Sequence, residues 1–151
     1  MQMPMYDAFN DEDPPEYVLI KDPWKPGPYG RMCYQFYGST NWRQQNFDRG
    51  VARQLYDSFP HLDKVKLGLP LTIAQSVAIM KRSDFFVGID SGMTHLARSV
   101  GIPAFVNKNK VPDSWFYCWH KLGSPSYTLF SSVPELHARL RERLPWLVPA
   151  V

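Results

Sequence analysis

The sequence predicts an α/β fold, a Rossmann-like three-layer sandwich on a mainly parallel sheet. Three observations carry this expectation. Short apolar runs alternate with segments of helical periodicity along most of the chain. One run, Phe85-Phe86-Val87-Gly88-Ile89, is apolar throughout and bounded by Asp84 and Asp90, as in a strand buried on both faces. Strands separated by helices need crossovers, so neighbouring strands run parallel and helices cover both faces.

Residues 1–16 are rich in Asp, Glu, Pro and Met without periodicity and are expected to be an irregular arm. Residues 17–151 are expected to be one domain. Tyr17-Val18-Leu19-Ile20 is a candidate short strand, ended by the proline-rich stretch Pro23 to Pro28. Met32 to Tyr37 reads as a strand that runs into Gly38-Ser39-Thr40-Asn41. A helix is expected from about Asn46 to Ser58, with Phe47, Val51, Leu55 and Phe59 four apart and Pro60 as the stop. Val65 to Leu67 is a weak strand. Thr72-Ile73-Ala74-Gln75 has the capping-box pattern and opens a helix to about Lys81. After the Phe85 strand, Met93, Leu96, Ala97 and Val100 recur at helical spacing until Gly101 and Pro103. Ala104 to Val106 is the next strand. Trp115 to Lys121 is a candidate short helix. Tyr127 to Phe130 is a last strand, and Ser132-Val133-Pro134-Glu135 caps a last helix.

The chain has 151 residues, 44% hydrophobic and 21% charged, which suits a single core. Its net charge of +3 comes without a basic stripe, so nucleic acid is not an expected partner. No apolar stretch approaches the ~18 residues of a membrane span, and no signal peptide is visible, so a cytoplasmic location is expected. The two cysteines, Cys33 and Cys118, make neither a disulfide framework nor a metal spacing. The histidines make no metal set either, and no cofactor is expected.

The segment Asp90-Ser91-Gly92-Met93-Thr94-His95 carries the chemistry. It follows a buried strand and opens a helix, at the carboxyl edge of the sheet, where open parallel sheets bind ligands. A first helical turn has amides without intrahelical partners and about half a positive charge from the dipole. Ser91 can cap or donate, Gly92 allows close approach, Thr94 adds a hydroxyl, and His95 shares the Ser91 face. These are the parts of a diphosphate site. Asp90, whose charge would repel phosphate, is expected to organise the turn. Taken in isolation the same residues could be a plain N-cap and an ordinary histidine.

The run from Ser83 to Ala97, followed by Gly101-Ile102-Pro103, resembles the C-terminal donor-binding domain of glycosyltransferase family nine. Those are the ADP-heptose:lipopolysaccharide heptosyltransferases and their relatives, with the two-domain GT-B fold. The resemblance implies that Ser91, Gly92, Met93, Thr94 and His95 bind the diphosphate of a nucleotide sugar. It also makes Gly38, Ser39, Arg43 and Lys108 candidate donor contacts, with Arg49 and Arg53 as rivals to Arg43. The family supplies its catalytic carboxylate from an N-terminal domain that is expected to be absent here, since about 16 irregular residues precede the first candidate strand, so no catalytic residue is named. Its acidic ribose contact falls in a segment shortened here to residues 61–70, where Asp63 is the only acidic candidate. The aromatic cluster Trp115, Phe116, Tyr117 and Trp119 either stacks on a base or fills core.

Two functions follow. The first is a glycosyltransferase, transferring a hexosyl or heptosyl group from a nucleoside diphosphate sugar, with an acceptor-domain partner protein or a second copy of the chain. The alternative is a non-catalytic nucleotide-binding or partner-docking module, for which the apolar tail Leu144 to Val151 offers a surface.

Overall fold

A computed structural model describes residues 19–38, 47–108 and 127–150. Five strands, β1 (Arg31–Gln35), β2 (Asp63–Lys66), β3 (Phe85–Gly88), β4 (Ala104–Asn107) and β5 (Tyr127–Phe130), form one sheet in the order β2-β1-β3-β4-β5. Every pairing is parallel. Four α-helices are described: α1 (Arg49–Asp57), α2 (Ile73–Lys81), α3 (Gly92–Val100) and α4 (Val133–Arg143). The α/β three-layer expectation is met, with an entirely parallel sheet.

The layers follow from strand alternation, which sends successive side chains to opposite faces. Met32, Phe85, Val87 and Phe105 pack on one face with Leu55 of α1 and Leu136 and Leu140 of α4. Cys33, Phe86, Ala104 and Val106 pack on the other with Met80 of α2 and Ala97 and Val100 of α3. Every residue of β3 and β4 is buried, whereas edge strand β2 alternates Asp63, Lys64, Val65 and Lys66 at partial or full exposure. The crossovers leave β1 and β3 on opposite faces, α1 one way and α3 the other. A crevice therefore opens between these two neighbouring strands at their carboxyl ends.

Several boundaries differ from the sequence expectation. Leu19 and Ile20 form no strand; Ile20 N and Trp24 N donate to Ser99 O and Val100 O, so this segment straps the end of α3. Helix α1 begins at Arg49 because the Asp48 carboxylate accepts the amides of Gly50 and Val51. Strand β1 stops at Gln35, after which Phe36 O accepts from Phe47 N. Within the expected tail surface, Leu144 and Leu147 belong to the core under α4, while Pro145 and Trp146 stay exposed. The 1–16 arm and the Trp115 to Lys121 segment lie outside the described residues.

Two polar devices hold the frame. Asp84, wholly buried at the start of β3, accepts the amides of Tyr29, Gly30 and Arg31 at 2.8, 2.8 and 3.1 Å. A buried carboxylate is tolerated because three donors replace its water. On the other face of the sheet, the His137 ring stacks on Phe59 at 4.6 Å, and Nε2 lies 2.8 Å from Ser58 Oγ. Ser58 Oγ donates its proton to Leu55 O, so the ring nitrogen is the donor.

Replacing Asp84 with Ala strands three partly buried amides and should cost about 2 kcal/mol, seen as a lower urea midpoint. A second expectation concerns pH. Burial, then the Arg141 charge, holds the His137 ring below its ordinary value of 6.5. The unfolded chain therefore takes up the proton first, and stability rises with pH. Its contribution is full above 6.5 and is lost as pH falls through that value towards the lower folded one. The melting temperature should drop between about pH 7.5 and 5.5, and His137→Phe should flatten that part of the profile.

Candidate functional site

The crevice between β1 and β3 is lined by the residues that follow each strand. Gly38 follows β1, and Asp90 to His95 follow β3 and begin α3. Lys108 follows β4 on the same edge, its amide donating to Phe130 O. Ser39 and Arg43 lie outside the described residues. Arg49 and Arg53 are both exposed on α1, and Arg53 is paired with Asp57 on that helix.

Capping sets α3 apart from the other three described α-helices. Asp48 caps α1, Thr72 caps α2 through a full capping box with Gln75, and Ser132 caps α4 by accepting from Glu135 N. Ser91 occupies the same position on α3 yet makes no side-chain cap. Its hydroxyl donates instead to Gln35 Oε1 at 2.8 Å, across the crevice floor from β3 to β1. The amides of Thr94 and His95 close onto Ser91 O at 3.1 and 3.2 Å. Those of Gly92 and Met93 have no hydrogen-bond acceptor among the described residues. Two donors and the positive end of a helix dipole thus face the crevice. Gly92 is exposed, and a Cβ built there meets nothing within 4 Å, so the approach to both amides is open.

The remaining residues of the motif divide their roles. Thr94 is wholly buried, and its hydroxyl donates to Ile89 O. It fixes the turn and does not offer the crevice the hydroxyl expected of it. Gly88 makes this packing feasible, since a Cβ there would come within 2.5 Å of the Phe86 ring and 3.2 Å of Thr94 Oγ1. Met93 packs its side chain against the α2/α3 face of the core. His95 Nε2 lies 4.0 Å from Asp90 Oδ1, beyond hydrogen-bond range. That carboxylate favours a charged ring, but burial, and then the Arg98 guanidinium one turn on, outweigh it and lower the His95 pKa. The ring is thus mainly neutral at pH 7, and an arriving anion would raise its proton affinity.

Asp63, the one acidic candidate for a ribose contact, is on the wrong edge. It starts β2, its amide donates to Gly30 O, and its carboxylate holds Arg31 at 3.0 Å. The carboxyl end of that strand lies roughly 10 Å away. Gln35 was missed by the sequence reading. The available signal was a polar residue closing the otherwise apolar Met32-Cys33-Tyr34 stretch just before a glycine loop. Cys33 is buried, which pushes its thiol up to about 12, so it is no nucleophile. No group of three or more metal-ligating side chains occurs among the described residues, and none of their helices is long and apolar enough to cross a membrane.

Because Ser91 does not cap α3, Ser91→Ala should change stability by no more than about 0.5 kcal/mol. Thr72→Ala, which removes a real cap, should cost about 1 kcal/mol. Chemical denaturation of the two variants side by side tests the contrast.

Residues 40–105 match the model of glycosyltransferase family 9 (heptosyltransferase), a span that includes the whole Asp90 to His95 turn. No curated protein sequence matches the chain. Two solved structures share the fold. The E. coli heptosyltransferase WaaC with ADP superimposes with a TM-score of 0.59 at 9% identity, over 91% of this chain and 48% of that one. The same enzyme with ADP-2-deoxy-2-fluoro heptose gives 0.58 at 8% identity, over 92% and 48%. The chain therefore spans about half the length of these relatives. Its resemblance to glycosyltransferase family 9 rests on a sequence match across residues 40–105 and on a fold that corresponds to one half of a GT-B heptosyltransferase.

Proposed function

We propose that this chain binds a nucleoside diphosphate sugar through its diphosphate at the Asp90 to His95 turn, as the donor-binding half of a glycosyltransferase. The observation that carries the reading is the uncapped α3, whose Gly92 and Met93 amides open onto the switch-point crevice inside the family-matched segment. His95, beside them, adds a group that becomes cationic as an anion arrives. The solved relatives were captured with ADP and with an ADP-sugar analogue, which supports this ligand class.

The same edge also suits a nucleoside. Gly68 lies against Gln35, and the next turn carries Leu69 and Ile73 at 90% and 71% exposure. Exposed apolar side chains beside an anion site give the flat face of a base something to cover. In a transfer step the bond from the sugar to the diphosphate breaks, and charge grows on the leaving oxygen. The two α3 amides and His95 would meet that charge where it develops. The acceptor, and the base that activates it, are proposed to come from an acceptor-binding body beyond this domain.

A thermal-shift screen of ADP, UDP, GDP and their sugars tests the proposal. A ligand at a hundred times its Kd adds about 2.7 kcal/mol, or roughly 5–10 °C in a domain of this size. Gly92→Ala and His95→Ala should leave the ligand-free melting point nearly unchanged and shrink that shift. If no nucleoside diphosphate raises the melting point, the reading is wrong. The alternative is a module that holds the nucleotide without turnover. Release of labelled sugar from a bound donor would eliminate it.

A further inference from the structure

We propose that Gln35 is the positioning residue of this anion site, because it decides which way the Ser91 proton points. The inference rests on the donor-binding reading above and adds a residue to it.

A serine hydroxyl has a single proton. Here Ser91 Oγ gives it to Gln35 Oε1 at 2.8 Å, which leaves only lone pairs to face the crevice. Lone pairs repel phosphate. A half-turn of the Gln35 amide exchanges its carbonyl for its NH2 group in nearly the same volume. Nε2 then donates to Ser91 Oγ, and the serine proton is released towards the anion. The swap replaces one hydrogen bond by another across the same pair of side chains, so little free energy opposes it.

The surroundings permit this turn. The Gln35 side chain makes no other hydrogen bond among the described residues, so none of them fixes its amide in one orientation. On its far side lies Gly68, at φ +105°, where a Cβ would come within 3.1 Å of Nε2. Glycine both adopts that backbone angle and leaves the amide its space. Gln35 itself pairs in register with Gly88, so its side chain stands beside a position that has none. Ser91 and Gln35 are thus one unit, a hydroxyl whose direction is set by a neighbouring amide.

The test is a double-mutant cycle on ADP affinity, measured by titration calorimetry on the full chain, with circular dichroism to confirm folding. Gln35→Met keeps the side chain's length but can neither direct nor hold the serine proton. It should weaken ADP binding two- to fivefold in the wild-type background and by less than about 1.5-fold in Ser91→Ala. Gln35→Leu, neutral and likewise unable to hold or direct the serine proton, should follow the same pattern and carries the cycle should the methionine variant fold poorly. Equal losses in both backgrounds, or no loss, overturn the inference alone. A wild-type chain that does not bind ADP overturns the donor-binding reading as well.

Discussion

One hydrogen bond gives this domain its open end. Ser91 stands where a serine ordinarily caps a helix, but its hydroxyl crosses the crevice to Gln35 instead. The consequence is local and electrostatic. Helix α3 keeps the Gly92 and Met93 amides without an acceptor among the described residues and lacks the side-chain cap that Asp48, Thr72 and Ser132 give α1, α2 and α4. Burial of Thr94 and its bond to Ile89 O hold the turn rigid, so the amides are aimed without help from a ligand.

The opposite edge of the sheet is built the other way. There the Asp84 carboxylate gathers three amides, Trp24 Nε1 donates to Ser83 O, and Lys81 pairs with Asp22 at 2.7 Å. The strap from residue 19 to residue 30 covers that end. Fixing strands β1 and β3 at their amino ends also fixes the register, Met32 on Phe85 and Gln35 on Gly88. That register is what brings Gln35 within reach of Ser91. Stability at one edge therefore supports geometry at the other.

The likeness to the heptosyltransferases is one of fold and of a short sequence segment, at 8–9% identity overall. Asp63 is tied to Arg31 at the amino edge, and a neutral glutamine occupies the crevice floor. A neutral amide brings no negative charge to the crevice. It also has donor and acceptor atoms to choose between, which an acidic side chain lacks at neutral pH.

The sequence by itself determined the elements that local chemistry controls. The capping box Thr72-Gln75, the left-handed Gly101 at the end of α3, the apolar β3 and the strand–turn–helix at Asp90 are all properties of a few adjacent residues. Hydrophobic periodicity then implied a parallel sheet covered on both faces. Tertiary structure decided what those residues do with their polar atoms. Whether Ser91 caps or crosses depends on a glutamine 56 residues away, and whether Thr94 faces a ligand depends on the close approach that Gly88 allows. The edge to which Asp63 belongs is set by strand register, which pairing fixes only once the sheet exists. A side chain's donors go to whichever acceptor the fold brings nearest, and that distance is not a property of the local sequence.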